Sequence, residues 1–542
     1  MVYIEKVKIQ NYKCFENIEI ELNRNLNIIV GNNEEGKSTI LEAIHLAVSG
    51  MINGRYVMNE MTLELFNQNA VSSYLESLKT ENKLPLPEIL IEIYLQGEDI
   101  AILEGDMNSD KKGCSGVSFR ICFDEQLQSE YESFIAQKEI NSLPVEYFKI
   151  ERYSFARDAV TNRSIPLKSV IIDSSSNKFQ NGSDVYISKI IKDDLDEKEI
   201  TAITQCYREL KEKFSSAQPI IDINKKITDK ADISNKNVSI SMDMSAKNTW
   251  ETTLMTFIDN IPFPQIGKGE QCMIKTNLAL AHQKAQTSNL ILLEEPENHL
   301  SYSNLNVLLN KIQKKCSDKQ LIVTTHSNFV ANKLNLSNLI ILSNKQNARL
   351  DSLSQDDADY FKKLPGYDTL RMILSKRTIL VEGPSDELIV QRAFIDKNQA
   401  LPIEKGIDII SVRGLAFKRF LNIARIAKKK VAVVTDNDGN YHQKIEEKYG
   451  DYKNVDNIKI FASDINELNT LEPQFVDANK EHLSELRNAL SLSEDKYSNL
   501  EDIICYMTSN KSEWALKIFD SDYVFEYPTY ITNAIEWVYG GE

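Results

Sequence analysis

The sequence predicts an α/β protein with two α/β units, each of which has its own functional site. Four short apolar runs, at 290–293, 321–323, 379–381 and 431–434, each end in polar or acidic residues. Continuous apolar strands are typical of parallel sheets covered on both faces, and ligands bind at the carboxyl ends of such strands. A glycine-rich loop near the N-terminus and a pair of aspartates after the last run indicate where the two sites lie.

The composition is that of an ordinary globular chain. Its 542 residues are 42% hydrophobic and 26% charged, a length that suits about three or four domains. The chain has no run of 18 or more apolar residues, and its N-terminus lacks the apolar core of a secretory signal. The seven cysteines are scattered and never form C-x-x-C, which argues against a zinc ribbon or a disulfide framework. We therefore expect a cytoplasmic protein with reduced thiols and no membrane partner.

The charge distribution matters more than the net charge of −16, which by itself argues against a nucleic-acid partner. Between Lys376 and Lys430 there are 12 lysines and arginines against 6 acidic residues. Much of this excess flanks an apolar helical pattern, at Arg413, Lys418, Arg419, Arg425 and Lys428 to Lys430. A solvated helix face is the ordinary interpretation. The position of this segment directly before the aspartate pair favours a surface that faces phosphate.

The first half of the chain shows strand and helix patterns in order. VYIEKVKIQNY and FENIEIEL alternate and predict a β-hairpin, which leads into the strand LNIIV, a glycine-rich loop and the helix TILEAIHLAVSG. LPEILIEIYL and GVSFRICF predict further strands. The span from about 175 to 250 is charged and poor in strand patterns, and predicts a helical insertion too short for a long coiled-coil arm.

The first site begins with GNNEEGKST at Gly31, which matches G-x-x-x-x-G-K-[ST] between a strand and a helix. In this pattern the glycines let the backbone approach phosphate, Lys37 reaches the terminal phosphates and Ser38 ligates Mg²⁺ at a helix N-terminus. LILLEEPENHL supplies Glu294 for the Mg²⁺ shell and Glu295 as general base for the attacking water. A lone histidine is more often a core residue. Because His326 follows the strand after these two glutamates, we expect it to contact the γ-phosphate.

Ahead of that strand, GKGEQ starts a predicted helix. The arrangement resembles the ABC ATPases of the DNA-repair and chromosome-maintenance group, and the resemblance implies that GKGEQ is the signature loop, so that ATP binds between two protomers. It implies nucleotide contacts from Asn32, Asn33, Gly36, Lys37, Ser38, Thr39, Gly267, Gly269 and Gln271. Two departures are that Asn33 and Glu34 stand where the group often has glycine, and that the Walker B acid is glutamate rather than aspartate.

The second site combines TILVEGPSDE, with Glu382 and Asp386, and VAVVTDNDG, with Asp436 and Asp438. Side chains at i and i+2 of an extended segment project to the same side, so we expect the two aspartates to lie together and to need a cation. Mg²⁺ prefers such oxygen ligands, and a metal pair can activate water and stabilise the leaving oxygen in phosphodiester cleavage. The pattern resembles the Toprim fold of primases, type IA and II topoisomerases and several nucleases.

An ABC-type ATPase followed by a Toprim domain resembles the overcoming lysogenization defect (OLD) family of ATP-linked nucleases over essentially the whole chain. The resemblance implies that Glu472 in NTLEPQF completes the metal site and that Lys511 in SNKSEWAL stabilises charge on the phosphate. It also implies that the helical span is a dimerisation insertion. The predicted divisions are 1–175 and 251–345 for the ATPase, 176–250 for the insertion, 346–375 for a polar linker and 376–542 for the Toprim domain.

The resemblance implies ATP and Mg²⁺ as cofactors, with Mn²⁺ as an alternative at the Toprim site, DNA as substrate, and a homodimer or tetramer. A role in bacterial antiphage defence, alone or beside a helicase-like protein or a retron reverse transcriptase with its DNA, is implied in the same way. A topoisomerase would need a tyrosine nucleophile in an additional domain, a primase would bring a zinc module, and a chromosome structural ATPase would need long arms. The remaining alternative is an ATP-switched DNA sensor or assembly protein that does not cut.

Overall fold

The computed structural model contains two compact units. The residues that it describes are 1–52, 54–80, 82–137, 140–173, 179–180, 183–184, 187, 190–192, 195–230, 239–243, 250, 255–333, 338–350, 353–354, 356–357, 360–361, 367–412 and 417–540. One unit consists of Met1–Leu26 and Ser38–Thr324, and the other of Asn27–Lys37 and Thr325–Glu542. The glycine-rich loop therefore belongs to the same unit as the C-terminal half of the chain.

The strands are short and follow the apolar patterns of the sequence. They are β1 (Tyr3–Tyr12), β2 (Phe15–Glu21), β3 (Leu26–Val30), β4 (Ile89–Gln96), β5 (Cys114–Phe123), β6 (Phe148–Ser154), β7 (Ser169–Asp173), β8 (Leu290–Glu294), β9 (Gln320–Thr325), β10 (Leu339–Ser343), β11 (Gln346–Arg349), β12 (Arg377–Val381), β13 (Ile407–Ser411), β14 (Lys430–Val434) and β15 (Ile458–Phe461). Two-residue strands lie at Met51–Ile52, Arg55–Tyr56, Glu104–Gly105, Phe179–Gln180, Ser183–Asp184, Phe257–Ile258 and Ile261–Pro262.

The α-helices alternate with these strands in both halves of the chain. They are α1 (Lys37–Ser49), α2 (Gln68–Ser77), α3 (Gln128–Gln137), α4 (Glu197–Ser215), α5 (Gln218–Lys230), α6 (Lys268–Ala281), α7 (Gln283–Thr287), α8 (Tyr302–Lys315), α9 (Asn328–Lys333), α10 (Tyr367–Leu374), α11 (Pro384–Asn398), α12 (Phe417–Ile426), α13 (Leu471–Ala478), α14 (Leu483–Leu490), α15 (Leu500–Ser509), α16 (Lys511–Phe519) and α17 (Thr529–Tyr539). Across the described part of the chain, none of them is both long enough and apolar enough to span a membrane.

The first unit contains an antiparallel sheet that begins with the predicted hairpin. β1 pairs with β2 on one side and with β4 on the other, and β5 joins β4 to β6. In β1 and β2 the buried residues are separated by exposed or partly exposed ones, which is the pattern expected for strands packed on one face. The hairpin and both further strands predicted from the sequence are confirmed.

The first unit also contains the parallel strands β7, β8 and β9. The four leucine and isoleucine residues of β8 are buried, and the acidic Glu294 at its end is partly exposed. β7 runs beside β8 in register, so that Asp173 at the end of β7 lies opposite Glu294. The carboxyl ends of these strands therefore form an acidic edge, as the apolar runs predict.

The second unit contains a parallel sheet in the order β13-β12-β14-β15. Ile379 and Val434 pack in a core with Ile389 of α11 and Ile531 of α17. Leu380 and Val433, which alternate with them, are also fully buried. Both faces of the sheet are therefore covered, which explains why these strands read as unbroken apolar runs.

The span 346–375 differs from the polar linker that the sequence predicts. It contains β11, which forms an antiparallel hairpin with β10, and the helix α10. Within this span Phe361, Met372 and Ile373 are buried. The polar residues of this span hid β11, which is exposed or partly exposed along its length.

Two helices, α4 and α5, lie in the span that is predicted as a helical insertion. α4 begins with a capping box, in which the Asp196 side chain accepts from the Glu199 backbone and the Glu199 side chain accepts from the Asp196 backbone. α5 follows after a short turn. Most of the remainder of 176–250 lies outside the described residues.

Candidate nucleotide and metal sites

The glycine-rich loop is a tight turn between β3 and α1. A Cβ on Gly31 would lie 3.0 Å from the Leu342 carbonyl oxygen, so the loop backbone passes close to β10. Gly36 has φ of 96° and Glu34 has φ of 71°. Glu34 thus occupies a left-handed conformation that favours glycine, at one of the two positions where the sequence departs from the ABC group.

The Lys37 side chain folds back onto this loop. Its Nζ donates to the carbonyl oxygens of Gly31 and Asn32 at 2.9 and 3.0 Å, and the side chain is buried. The ammonium group is therefore held directly at the loop, where a phosphate-binding lysine is expected. Asn33 is exposed, and the Thr39 hydroxyl accepts a weak hydrogen bond from the Cys14 thiol at 3.8 Å.

Ser38 and Glu294 are brought together as predicted for a shared Mg²⁺ shell, since the Ser38 hydroxyl donates to Glu294 Oε1. Burial raises the pKa of Glu294, and the carboxylates of Asp173, Glu295 and Glu42 raise it further, while the bond from Ser38 lowers it. Sequence reasoning missed Asp173 as a member of this edge. The signal was present, because SVIID is another apolar run that ends in an acid.

Glu295 and His326 follow the ends of β8 and β9. Glu295 has φ of 37°, its backbone N–H donates to the Thr324 carbonyl at 3.0 Å, and its Oε2 accepts from Asn298 at 3.1 Å. Glu295 is therefore the residue at which the chain turns after β8. His326 is exposed directly after Thr325.

The predicted signature loop begins α6, with Gly267 as the N-cap. Gly267 is exposed and has open space around it, whereas a Cβ on Gly269 would lie 2.5 Å from the His299 carbonyl oxygen. Gln271 differs from its predicted contact with nucleotide, because its buried amide donates to the carbonyls of Phe263 and Ile266 at 3.0 and 2.9 Å. Buried carbonyls need donors, and Gln271 supplies one to each of these, while the Phe263 carbonyl also accepts from the Ile266 N–H at 3.3 Å.

The second site gathers acidic residues at the carboxyl ends of β12 and β14. Glu382 Oε1 accepts from the Asp436 backbone N–H at 3.2 Å and from the Thr435 hydroxyl. Asp386 lies in the first turn of α11, and its Oδ2 accepts from the Gly383 N–H at 3.1 Å. Glu472 lies in the first turn of α13 and is buried.

The carboxylates of this site disfavour each other's charge. Burial raises the pKa of Asp436 to about 9, with further contributions from Asp386, Glu382, Glu472 and, least, Asp438. Burial also raises the pKa of Asp386 to about 7, followed by the charges of Glu382 and Glu472. Asp436 Oδ1 is buried and has no hydrogen-bond partner. A divalent cation bound among these carboxylates would favour their ionised forms, because it offsets the repulsion between them.

Asp436 and Asp438 lie beyond the end of β14 and do not belong to one extended segment, contrary to the expectation from the sequence. β14 ends at Val434, and Asp438 lies in a turn with φ of 46°. Asp438 is exposed and accepts from Lys444 Nζ at 3.1 Å. The fully buried Asn437 between them holds the turn, since it donates to two backbone carbonyls at 2.9 Å and accepts from the Gly439 N–H.

The second site has side chains of the right chemistry to bind a metal ion, but they are not arranged as a formed metal site. Among the residues that the structure describes, no group of three or more histidine, cysteine, aspartate or glutamate side chains has the geometry of a formed metal site. The cluster nevertheless offers only carboxylate oxygens, one of them buried without a partner. These are the ligands that a hard divalent cation prefers. Glu382, Asp386, Asp436 and Glu472 are the residues that would hold it.

Lys511 and Tyr530 lie at the starts of two helices around this cluster. Lys511 is exposed, and its carbonyl accepts from the Ser385 hydroxyl at 3.0 Å, beside Asp386. Tyr530 is buried in the first turn of α17, and burial together with the nearby carboxylates raises its pKa well above its ordinary value. Sequence reasoning missed Tyr530, because nothing near it in the sequence marks it among scattered tyrosines.

The basic segment before the aspartates is not a uniform surface facing phosphate. Arg419 donates to the Asp356 carbonyl and to Asp357, and Lys429 is buried with two protein acceptors. Lys418, Arg425 and Lys428 are exposed, as predicted. Arg413 lies outside the described residues. The difference arises because the apolar face of α12 packs on β14 and carries its basic neighbours against the protein.

Two family models match the chain. One, described as AAA ATPase domain, matches residues 2–331, which is more than half of the sequence. The other, described as overcoming lysogenization defect protein-like, TOPRIM domain, matches residues 373–438, which include Glu382, Asp386, Asp436 and Asp438. ATP and divalent metal are the cofactors of these domain types.

Local sequence similarity points to the same ATPase group. Structural maintenance of chromosomes protein 6 of Saccharomyces cerevisiae is 52% identical over 46 residues, 8% of this chain and 4% of that protein. DNA replication and repair protein RecF of Clostridium tetani is 37% identical over 49 residues, 9% of this chain and 13% of that protein. The DNA double-strand break repair Rad50 ATPase of Methanopyrus kandleri is 49% identical over 45 residues, 8% of this chain and 5% of that protein. The chain thus spans at most 13% of the length of these relatives.

A solved structure of the Smc head domain with an extended coiled coil, bound to the C-terminal domain of ScpA from Pyrococcus furiosus, aligns with 67% of this chain and 98% of that chain. The identity is 17% and the TM-score 0.35. The assignment of the chain rests on the family models. The chain belongs to the AAA ATPase domain family, and the ATPase part is followed by a Toprim domain similar to that of the overcoming lysogenization defect-like proteins.

Proposed function

We propose that the protein binds and hydrolyses ATP and is a divalent-metal-dependent DNA endonuclease or nickase. The observation that carries this proposal is the buried Asp436 Oδ1, which has no partner and lies among carboxylates that raise its pKa to about 9. The fold holds these like charges together at the carboxyl ends of parallel strands, where ligands bind. Mg²⁺ is the proposed cation, with Mn²⁺ as an alternative, because both prefer carboxylate oxygens.

In the proposed reaction, the chain's own residues orient the cleavage site. A bound divalent cation supplies activation of a water molecule and stabilisation of the leaving oxygen. The Thr435 hydroxyl and the Asp436 N–H fix one oxygen of Glu382, and the Gly383 N–H fixes one oxygen of Asp386. Lys511, which begins α16 beside Ser385, would neutralise charge that develops on the phosphate oxygens.

The proposed ATPase site combines residues of the glycine-rich loop with the two glutamates at the end of β8. Lys37 would contact the terminal phosphates, Ser38 and Glu294 would hold the Mg²⁺ shell, and Glu295 would accept a proton from the attacking water. The exposed Gly267 at the N-terminus of α6 supports a contact with ATP bound to a second protomer, because the backbone N–H groups of a helix N-terminus bind phosphate.

A second copy of the chain is the proposed partner for the helical insertion, with a tetramer as an alternative. α4 and α5 expose large apolar side chains, among them Leu210, Phe214, Ile221 and Ile223. Exposed apolar faces of this kind mark interaction surfaces. The proposed domain divisions remain those predicted from the sequence, except that 346–375 carries structure of its own.

The proposed biological setting is antiphage defence in the bacterial cytoplasm, alone or with a helicase-like protein or a retron reverse transcriptase and its DNA. The scattered cysteines, which never form C-x-x-C, support a reducing compartment. The names of the local relatives, which concern DNA replication and repair, support DNA as the substrate.

Cleavage of supercoiled plasmid and linear DNA with Mg²⁺ or Mn²⁺, with and without ATP, tests this function. We expect the wild type to nick or cut, and replacement of both Asp436 and Asp438 by Ala to lower the rate at least about 1000-fold, since loss of a metal site removes several kcal/mol of transition-state stabilisation. An Asp456→Ala variant, at an exposed position, is the matched control. Equal cleavage by the double variant and the wild type would refute the assignment of the site.

An ATP-switched DNA-binding protein without nuclease activity is the second candidate. The observation that favours it is the absence, within the described residues, of a formed site with three acidic, histidine or cysteine ligands. DNA binding and ATP hydrolysis by the wild type, without cleavage under either metal, would establish this candidate.

A further inference from the structure

The nucleotide loop makes a direct contact with the segment that precedes β12 of the Toprim sheet. The Asn32 side chain donates to the Leu374 carbonyl at 2.7 Å, and Leu374 ends α10 three residues before β12 starts. Asn32 and Leu374 both belong to the second compact unit. The residue next to the proposed phosphate site therefore touches the chain that leads to Glu382.

Lys429 forms a second connection of the same kind. Its Nζ donates to the Ser343 hydroxyl at 3.0 Å and to the Ser375 carbonyl at 3.1 Å. Ser343 ends β10, which pairs in parallel with β3, the strand that leads into the nucleotide loop. Lys429 directly precedes β14, whose other end leads to Asp436.

The charge of Glu35 in the nucleotide loop also acts on Lys429. The side chain of Lys429 is 7% exposed, and its burial lowers the pKa while the charge of Glu35 opposes this change. Glu35 lies in the nucleotide loop, and its Oε2 accepts from the Lys345 N–H at 3.0 Å in the turn after Ser343. A buried ammonium that loses an acceptor is costly, so Lys429 and its acceptors move together.

Phosphate binding changes the hydrogen bonds at the start of this connection. Lys37 Nζ now donates to the Gly31 and Asn32 carbonyls, and a phosphate that takes its ammonium group releases both acceptors. The Asn32 backbone then settles in a new position while its side chain remains bonded to Leu374. β12 and β14 are each five residues long, which corresponds to roughly 16 Å. A displacement at the start of either strand is therefore passed along it to Glu382 or Asp436 at the other end.

We propose that Lys429 is a positioning residue that transmits the nucleotide state of the glycine-rich loop to Glu382 and Asp436, within one chain and without a change of partner. This inference rests on the proposed functions of both sites. It makes Ser343 and Ser375 the acceptors through which the loop acts on β12 and β14. The coupling is reciprocal, so a cation at the acidic site changes the affinity for ATP by the same factor.

Hydrogen–deuterium exchange of the full-length protein tests the coupling without depending on DNA cleavage. Peptides that cover β12 and β14 are compared with and without saturating AMP-PNP and Mg²⁺ in the wild type, Lys429→Met, Ser343→Ala and Lys428→Met. Lys428 is exposed and adjacent, so Lys428→Met removes the same charge without the internal bonds. Ser343→Ala serves as a second variant that removes one acceptor and keeps the buried charge, should Lys429→Met fold poorly.

We expect AMP-PNP to change exchange in both strands of the wild type and of Lys428→Met by about fivefold or more, the lower end of measured couplings. In Lys429→Met and Ser343→Ala this response should fall to less than about half of that change, while AMP-PNP still binds. A wild type without any response, or an unchanged response in both variants, overturns the proposal. Absence of cleavage with an intact exchange response would instead refute the nuclease and leave the coupling in place.

Discussion

The two sites differ in how the protein satisfies their acidic residues. Glu294 in the first site accepts a hydrogen bond from Ser38, and Glu295 accepts one from Asn298. Asp436 in the second site has a buried oxygen without any partner and a pKa raised to about 9. In the first site, hydrogen bonds from the protein satisfy the carboxylates. In the second site the carboxylates repel each other, and a bound cation would reduce that repulsion.

This difference teaches that one chain can satisfy acidic residues at two proposed sites by opposite means. The ammonium of Lys37 already lies at the nucleotide loop, so little has to move before ATP binds. If the proposed cation binds the acidic cluster, it would stabilise the folded state there by an amount that rises with its concentration. The predictions below test one side of this contrast at a time.

The largest expected effect is the loss of nucleotide binding in Lys37→Ala. We expect an affinity for ATP at least about 100-fold lower, because charge-assisted hydrogen bonds contribute about 1.5–3 kcal/mol each. Equilibrium binding of a fluorescent ATP analogue measures it, with Lys314→Ala on the exposed face of α8 as control. Wild-type affinity in Lys37→Ala would show that the first site is assigned wrongly.

The second prediction concerns the pH dependence of stability without metal. The folded pKa values of Asp386 and Asp436, about 7 and about 9, both exceed the ordinary value of 3.8. Between these limits the folded state binds more protons than the unfolded state, so the free energy of unfolding falls as the pH rises from about 4 to about 9. Denaturant unfolding in EDTA measures the slope, and Asp436→Asn should reduce it.

Addition of Mg²⁺ should flatten the same pH profile, because a bound cation favours the ionised carboxylates. Asp451→Asn, at an exposed position, is the control and should keep the wild-type slope. A stability that rises with pH in EDTA would contradict the contrast between the two sites.

The third prediction tests how rigid the first site is. Gly269→Ala places a Cβ 2.5 Å from the His299 carbonyl, and should lower the free energy of unfolding by about 1–3 kcal/mol. Gly267→Ala meets no atom within 4 Å and should cost only about 0.5 kcal/mol, because alanine is a poorer N-cap than glycine. Thermal unfolding of the two variants measures the difference, and equal stabilities would mean that the signature loop adapts freely.

The smallest expected effect comes from the strained turn of the nucleotide loop. Glu34→Gly should stabilise the protein by roughly 0.5 kcal/mol, because the relief of a left-handed conformation exceeds the entropy that glycine loses. Glu35→Gly removes the acceptor of the Lys345 N–H and should destabilise. Thermal shift distinguishes the two variants, and destabilisation by Glu34→Gly would show that this side chain has a role of its own.

The fold followed from the sequence where a local pattern decides the structure. The apolar runs became buried parallel strands, and the acids after them lie at the predicted edges. The span 346–375 was misjudged because its polarity hides one buried face, at Met372 and Ile373. Burial of that kind depends on the partner surface, which no local pattern contains.

The candidate sites were predictable in their residue types and less so in their geometry. The spacing of Asp436 and Asp438 suggested neighbours, but the buried Asn437 turns the chain and leaves Asp438 with Lys444. Lys429 looked like a solvated lysine and is buried, because its acceptors come from segments distant in sequence. Tyr530 joins the acidic cluster through tertiary packing alone.

Residues 27–37 belong to the same compact unit as the C-terminal half of the chain. The ATPase and Toprim sequences of two proteins therefore cannot be recombined at a single point without dividing this unit. A chimera built by joining one protein's ATPase sequence to another's Toprim sequence after residue 345 keeps Asn32 but replaces the backbone around Leu374. Recombination that preserves function must therefore transfer the short N-terminal loop together with the C-terminal half. In related chains we expect the residues at these two distant places to change in step.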